Sequence, residues 1–175
     1  MKLMAFAASS STKSINKTLV TYAASLLDSF MVDIVDLNDY ELPLFSEDKE
    51  AEIGKPELAK DYLAKIQSSD ALIISFAEHN GSYTAAYKNL FDWCSRINPK
   101  VYQNKPMVLL STSPGPGGAS NVLNAAINSM PHFDGVIKGS FSLPKFYDNF
   151  DMSNNKFSNS EIASELKNIV ECLNS

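Results

Sequence analysis

Five short apolar runs recur along this chain, at residues 2–7, 31–36, 71–76, 107–112 and 136–141, with helical patterns between them. They are continuous rather than alternating. A strand with one face in water alternates apolar and polar residues, so continuous runs call for cover on both faces, as in a parallel sheet. The gaps supply the covering helices. Ile15, Leu19, Ala23, Leu26, Leu27 and Phe30 follow the first run at spacings of three and four. Leu58, Tyr62 and Ile66 form a second stripe, and Tyr87, Leu90, Phe91, Cys94 and Ile97 a third. Val122, Ala126, Ile127 and Met130 make the fourth; Ile162, Leu166, Ile169, Val170 and Leu173 close the chain. Each stripe puts its apolar groups on one helical face. Five β-α units without a composition break predict one doubly wound α/β domain over residues 1–175.

Composition narrows the partners. A chain of 175 residues, 45% hydrophobic and 20% charged, is ordinary globular material, and at this size it buries enough surface to need no disulfide or metal staple. The net charge of −5 argues against broad nucleic-acid or anionic-membrane binding, while leaving room for one local anion pocket. Cys94 and Cys172 lie far apart without metal-ligand spacing, which predicts a reduced, cytoplasmic setting. The apolar stretch after Lys2 is too short for a signal peptide, and no run approaches a membrane span.

In an open parallel sheet, ligands sit outside the carboxyl ends of the strands. After the first run come Ser9, Ser10, Ser11, Thr12, Lys13, Ser14 and Asn16, crowding the start of the first helix. One reading is a Ser/Thr-rich helix cap. The other is an anion cradle, in which hydroxyls supplement the unpaired N–H groups of a helix N-terminus. The polar groups exceed what one cap needs. After the third run, Glu78, His79, Asn80 and Gly81 make either an Asn-Gly turn or a backbone approach to a flat ligand. After the fourth, Ser113, Gly115, Gly117 and Gly118 approximate a dinucleotide-binding fingerprint but sit mid-chain, without the acidic residue that should end the next strand. A Gly-rich wall for a bound ring suits them better. Residues 37–55 and 146–159 are expected to be irregular, the latter a polar, Asn-rich surface loop.

Taken together, the three loops resemble the NADPH-dependent FMN reductase family of flavodoxin-like proteins. Residues 8–16 follow its opening G-S-x-R-x-x-S-x-N pattern with two departures, Ala8 for glycine and Ser11 for arginine. Leu42-Pro43-Leu44-Phe45 matches its Leu-Pro-Leu-aromatic stretch, and Glu78, Asn80, Gly81, Ser82 and Tyr83 its P-E-Y-N-G-S-Y loop. Lys88-Asn89-Leu90-Phe91-Asp92-Trp93 and the glycine-rich loop also fit. The resemblance implies a three-layer sandwich around a five-stranded parallel sheet in the order 2-1-3-4-5, with helices on both faces. It implies that Ser9, Ser11, Ser14, Ile15 (through its N–H) and Asn16 bind the FMN phosphate. Glu78, His79, Asn80 and Gly81 would line the isoalloxazine, with Ser113, Gly115, Gly117 and Gly118 along its other edge. Lys13 would restore part of the charge of the missing arginine.

The implied activity is that of an FMN-dependent oxidoreductase taking hydride from NADPH or NADH and reducing a quinone-like or other small acceptor. No acid–base pair or nucleophile–His–carboxylate signature appears, in keeping with chemistry carried by a cofactor. The alternative is a flavodoxin-type electron carrier that accepts no hydride from NAD(P)H. A phospho-accepting receiver domain is excluded, because Ala8-Ser9 and Phe76-Ala77 stand where it needs carboxylates. The apolar cluster Leu42-Pro43-Leu44-Phe45, with Tyr83, Tyr87 and Trp93 near the same strand ends, is expected to form a contact surface. The resemblance implies a homodimer or homotetramer. His132 is expected in a surface turn and Trp93 in packing.

Overall fold

The computed structural model describes residues 1–174; Ser175 lies outside the described residues. Its sheet has five strands: β1 Lys2–Ala8, β2 Met31–Val35, β3 Ala71–Phe76, β4 Lys105–Thr112 and β5 Gly135–Leu143, ordered β2-β1-β3-β4-β5. All neighbours run parallel. The topology is the one the resemblance implies.

Successive side chains of a strand point to opposite faces, and β1 shows why its run is unbroken. Met4 and Phe6 join one core, whereas Leu3, Ala5 and Ala7 join the other. Helices α3 (Glu57–Ser68), α4 (Ala85–Ile97) and α5 (Ser120–Ser129) cover the first face with Tyr62, Trp93 and Val122. Helices α1 (Ile15–Ala24) and α7 (Ser160–Glu171) cover the second with Leu19, Val20, Leu166 and Val170. Cys94 is buried in the first core, which pushes its thiol up to about 12. Trp93 is fully buried, as the packing reading holds, and His132 is exposed in a 3₁₀ turn.

Two segments depart from the sequence reading. The stretch 37–55 is not irregular throughout: it holds a 3₁₀ turn, Leu37–Tyr40, and helix α2, Glu47–Ile53, capped by Ser46. Three acidic residues in the first turn of α2 suit its positive end. Residues 146–159 form a short helix α6 (Phe146–Asn149) and an antiparallel pair, β6 (Phe150–Asp151) with β7 (Lys156–Phe157). Phe146, Phe150 and Phe157 are buried there, so three aromatic anchors hold an Asn-rich surface segment onto the second core.

The expected contact cluster is also largely self-satisfied. Leu42 and Phe45 pack against the first core, while Pro43 and Leu44 are exposed, Leu44 to 81%. Asn89 and Trp93 on α4 bind the backbone of this strap: Asn89 Nδ2 donates to Leu42 and Pro43 carbonyls, and Trp93 Nε1 to Pro43 O at 2.8 Å.

Candidate functional site

The strand order reverses between β1 and β3, which are adjacent while their outward crossovers run in opposite directions. The loops that follow them meet at the carboxyl edge, where an open α/β sheet binds its ligand. Thr84 ties the two loops, its Oγ1 donating to the carbonyl of Ala8 at 3.0 Å. A cleft of about 260 Å³ opens here. Ser9, Ser11, Ser14, Ile15 and Asn16 from the first loop line it, with Glu78 and His79 from the second and Ser113 from the third.

The start of α1 is built to receive an anion. Ser14 is its N-cap, with Oγ accepting from Lys17 N, and Ser9 Oγ accepts from Ser11 N at 3.2 Å. Each hydroxyl is therefore an acceptor already and keeps its own O–H to donate. The backbone N–H groups of Ile15 and Asn16, in the first turn, have no acceptor among the described residues. No acidic side chain occupies that turn, so nothing within the helix compensates its positive end. Lys13 adds a cation to the cleft wall. Hydroxyl donors, free N–H groups and one ammonium are the donor set a phosphate monoester requires, and FMN fits it.

Asn16 offers this cradle its backbone N–H, while its side chain is mostly engaged elsewhere. Its side chain is 3% exposed and turned into the sheet, where Nδ2 donates to Thr112 O at 3.1 Å. Its Oδ1 accepts from Ser75 Oγ at 2.8 Å and Thr112 N at 3.1 Å. The amide clamps the ends of β3 and β4 to α1, with Oδ1 accepting twice and one of the two Nδ2 N–H groups taken.

In the second loop, His79 and Ser82 exchange backbone hydrogen bonds around Asn80 and Gly81, whose φ values are 52° and 77°. Positive φ at both central residues is what a type I′ turn requires, hence Asn-Gly. Both residues are exposed at the turn tip, and a Cβ on Gly81 would meet nothing within 4 Å. Glu78 lies at the base of the turn. Its Oε2 accepts from Val122 N at 2.9 Å and its Oε1 from Asn121 Nδ2 at 3.4 Å.

The third loop divides in two. Gly117 has open space where a side chain would stand, and a Cβ on Gly115 would meet only Ser113 Oγ at 4.0 Å. Gly118 is turned away from the cleft: a Cβ there would collide with Ser142 Oγ and sit 3.0 Å from Pro144 N. Its carbonyl accepts from Ser111 Oγ and Ser142 Oγ, so it bolts the loop to β5. Ser113 and Gly115 carbonyls accept from Phe146 N and Lys145 N. That pairing brings α6 to the cleft and adds Tyr147 to its wall, a residue the sequence reading passed over. The Phe146–Phe150 spacing was the available signal that this segment is anchored.

The model of the NADPH-dependent FMN reductase family matches residues 1–148. The chain belongs to that family. It is 37% identical over 109 residues to a 2-hydroxy-1,4-benzoquinone reductase of Burkholderia sp, covering 61% of this chain and 57% of that protein. It is 36% identical over 107 residues to a quinone reductase of Pseudomonas putida, covering 61% and 56%. The chain thus spans about half the length of these curated relatives. Among solved structures, the flavoenzyme NAD(P)H:(acceptor) oxidoreductase FerB from Paracoccus denitrificans superposes with a TM-score of 0.77 at 23% identity. That match covers 98% of this chain and 94% of FerB, and establishes the shared fold.

Proposed function

We propose that the chain is an FMN-dependent NAD(P)H:acceptor oxidoreductase acting on a quinone-like or other small acceptor. The observation that carries this reading is the cradle at α1: Ser9 and Ser14 with free O–H donors, beside the free N–H groups of Ile15 and Asn16. Ser9, Ser11, Ser14 and the N–H groups of Ile15 and Asn16 would hold the phosphate, with Lys13 adjacent. FMN, once bound, supplies the ring that takes hydride from NADPH or NADH and passes electrons to the acceptor. The chain's part is to place that ring. His79, Asn80 and Gly81 would present the second loop to one side of it, and Ser113, Gly115 and Gly117 the third loop to the other. Glu78 and Gly118 act by fixing those loops.

Residues 1–175 would form a single flavodoxin-like domain, since both cores lie against one sheet. Two cysteines in 175 residues, far apart in the sequence and without metal-ligand spacing, support a cytoplasmic setting, and among the described residues no helix is long and apolar enough to cross a membrane. A homodimer or homotetramer would use the exposed Leu44, at the edge of a pocket that includes Ser10; light scattering that shows only 19.2 kDa particles removes this part.

The deciding experiment adds FMN to the purified protein, removes free flavin, and records the absorbance as NADPH or NADH is mixed in. Retained yellow colour that bleaches on mixing supports the reductase. Retained colour without bleaching by either nucleotide indicates an electron carrier instead. Failure to retain FMN removes the cradle assignment.

A further inference from the structure

A separate cavity of about 270 Å³ lies between α4 and the end of α5 and shares no lining residue with the cleft. Its walls are rings: Tyr83, Tyr87, Phe91, Tyr102 and Phe133, with Met130 among them. Phe91 stands edge-on to Phe133 with 4.7 Å between centroids, and Tyr83 leans on Tyr87 at 5.2 Å. Tyr83, Phe91 and Phe133 are only half-buried, so part of each ring meets water.

One proton in this wall has no acceptor. Tyr87 and Tyr102 are 4% and 1% exposed, and their hydroxyls bond each other. Two hydroxyls carry two donor protons, and one shared bond uses only one of them. Neither oxygen has another partner among the described residues, so the second proton is unclaimed. Burial pushes both phenols well above their ordinary range, and both stay protonated. The neighbouring hydroxyls are different: Tyr83 can donate to Ser129 Oγ at 3.0 Å, and Ser129 Oγ to Ala126 O at 3.4 Å. The rim holds no unpaired cation, because Lys88 Nζ donates to both carboxylate oxygens of Asp92, at 2.7 and 2.8 Å.

We propose that this cavity binds a small, neutral aromatic ketone or quinone, whose carbonyl oxygen accepts the unclaimed proton of the Tyr87–Tyr102 pair. Aromatic walls favour a flat ring in edge-on or offset contact. A buried donor without an acceptor is costly, and a carbonyl relieves that cost where a hydrocarbon cannot. The volume is near the lower end of small-molecule sites, which restricts the ligand to one or two rings. A carboxylate or phosphate would enter without a counter-ion and lose its hydration. Binding here requires no flavin in the cleft.

NMR titration of the purified protein with 1-tetralone and with tetralin, which share a bicyclic frame and differ by one carbonyl, tests the proposal. Tetralone should bind the parent about tenfold more tightly, the scale of one hydrogen bond to a buried donor. Replacing both Tyr87→Phe and Tyr102→Phe removes the two hydroxyls together and leaves neither without its partner. That double variant should melt like the parent, keep tetralin and lose the preference for tetralone. Ser95→Trp, on the α4 side of the cavity, should weaken both probes about tenfold, the scale of one lost ring contact. Tetralone binding no tighter than tetralin in the parent overturns the proposal. So does failure of both to bind, which would leave water as the occupant. A preference that survives in the double variant overturns it as well, as do probes untouched by Ser95→Trp, which would sit elsewhere. The comparison in the parent needs no variant, so it decides even if the double variant fails to fold.

Discussion

The carboxylate of Glu78, in the loop after β3, caps helix α5 by accepting the backbone N–H of Val122 at 2.9 Å. The helix needs this, because its own N-cap is Ala119 in the left-handed region, with no side-chain acceptor. A carboxylate at a helix N-terminus combines a charge-assisted hydrogen bond with a favourable dipole interaction. Glu78 thereby couples the second loop of the cleft to the third. Glu78→Ala should lower stability in urea unfolding by about 1–2 kcal/mol, the scale of a lost cap. Glu78→Gln keeps an acceptor and should lose less than half of that. Equal losses from both variants would mean that the charge, rather than the hydrogen bond, holds the helix.

Asn16→Ala should be more damaging than any other single change in the cradle. It leaves Thr112 N–H, Thr112 C=O and Ser75 Oγ without their partner in a buried setting. Each buried group left unsatisfied costs about 1–3 kcal/mol. The loss should appear as a lower urea midpoint in the absence of any flavin. Asn16→Asp replaces a donor with a second acceptor opposite Thr112 O and should be worse still. If Asn16→Ala unfolds like the parent yet binds FMN weakly, the side chain belongs to the phosphate site after all.

How much of this could be read in the sequence depends on what each residue faces. The parallel sheet and helix stripes were legible because a strand buried on both sides leaves an unbroken apolar run, and Met4 and Leu3 serve opposite cores within one such run, whereas the strand order came from the family resemblance. Which way a polar residue turns at a strand end leaves no such mark. Asn16 and Ser14 sit in one polar stretch, but one points into the sheet and the other caps the helix. Gly118 and Gly117 are adjacent, and only the Ser142 hydroxyl with the Leu143–Pro144 backbone decides which is crowded. Asn-rich composition hid the anchoring role of Phe146, Phe150 and Phe157, and with it Tyr147.

The glycines of the two loops should separate by mechanism. Gly81→Ala meets no atom and incurs only the left-handed backbone cost, about 1–2 kcal/mol. Gly118→Ala adds a collision with Ser142 Oγ and the Pro144 backbone to a φ of 58°. Its thermal midpoint should therefore fall further than that of Gly81→Ala. Gly81→Val should fold and lose flavin affinity if, as proposed, this loop meets the ring, because the branched chain would then stand between them. Comparable midpoints for the two alanine variants would show that the third loop moves aside easily.

Asp36 provides a pH signature. Its side-chain hydrogen bond to the Lys17 ammonium, then the Asn38 backbone N–H, hold its carboxyl below the ordinary carboxylate range. A lowered folded value means that the stabilisation is present above the unfolded value and fades as pH falls through the folded one. Asp36→Asn should be less stable than the parent at neutral pH, by at most about 1 kcal/mol for a partly exposed pair. That gap should close in acid. Urea midpoints measured for both proteins from neutral to acid pH test this, and a gap constant with pH would falsify it.

The strap Leu42-Pro43-Leu44-Phe45 should be held chiefly by one side chain. Asn89 donates to the carbonyls of Leu42 and Pro43 at 3.0 and 3.1 Å and accepts from Phe45 N at 2.8 Å. Those three bonds fix the strap over α4 and set the exposed Leu44 at the edge of a pocket of about 470 Å³ that includes Ser10. Asn89→Ala removes all three, at about 0.5–1.5 kcal/mol net for each. The chain's only tryptophan reports the outcome, because Trp93 Nε1 is bonded to Pro43 O beneath the strap. Its emission should move to the red as water reaches the indole, and chymotrypsin should cut after Leu44 or Phe45 faster than in the parent. Asn89→Asp retains the Phe45 contact but sets a carboxylate against two carbonyls, so it should cut faster still. Unchanged emission and cutting in Asn89→Ala would show that Leu42 and Phe45, packed on the core, hold the strap without it.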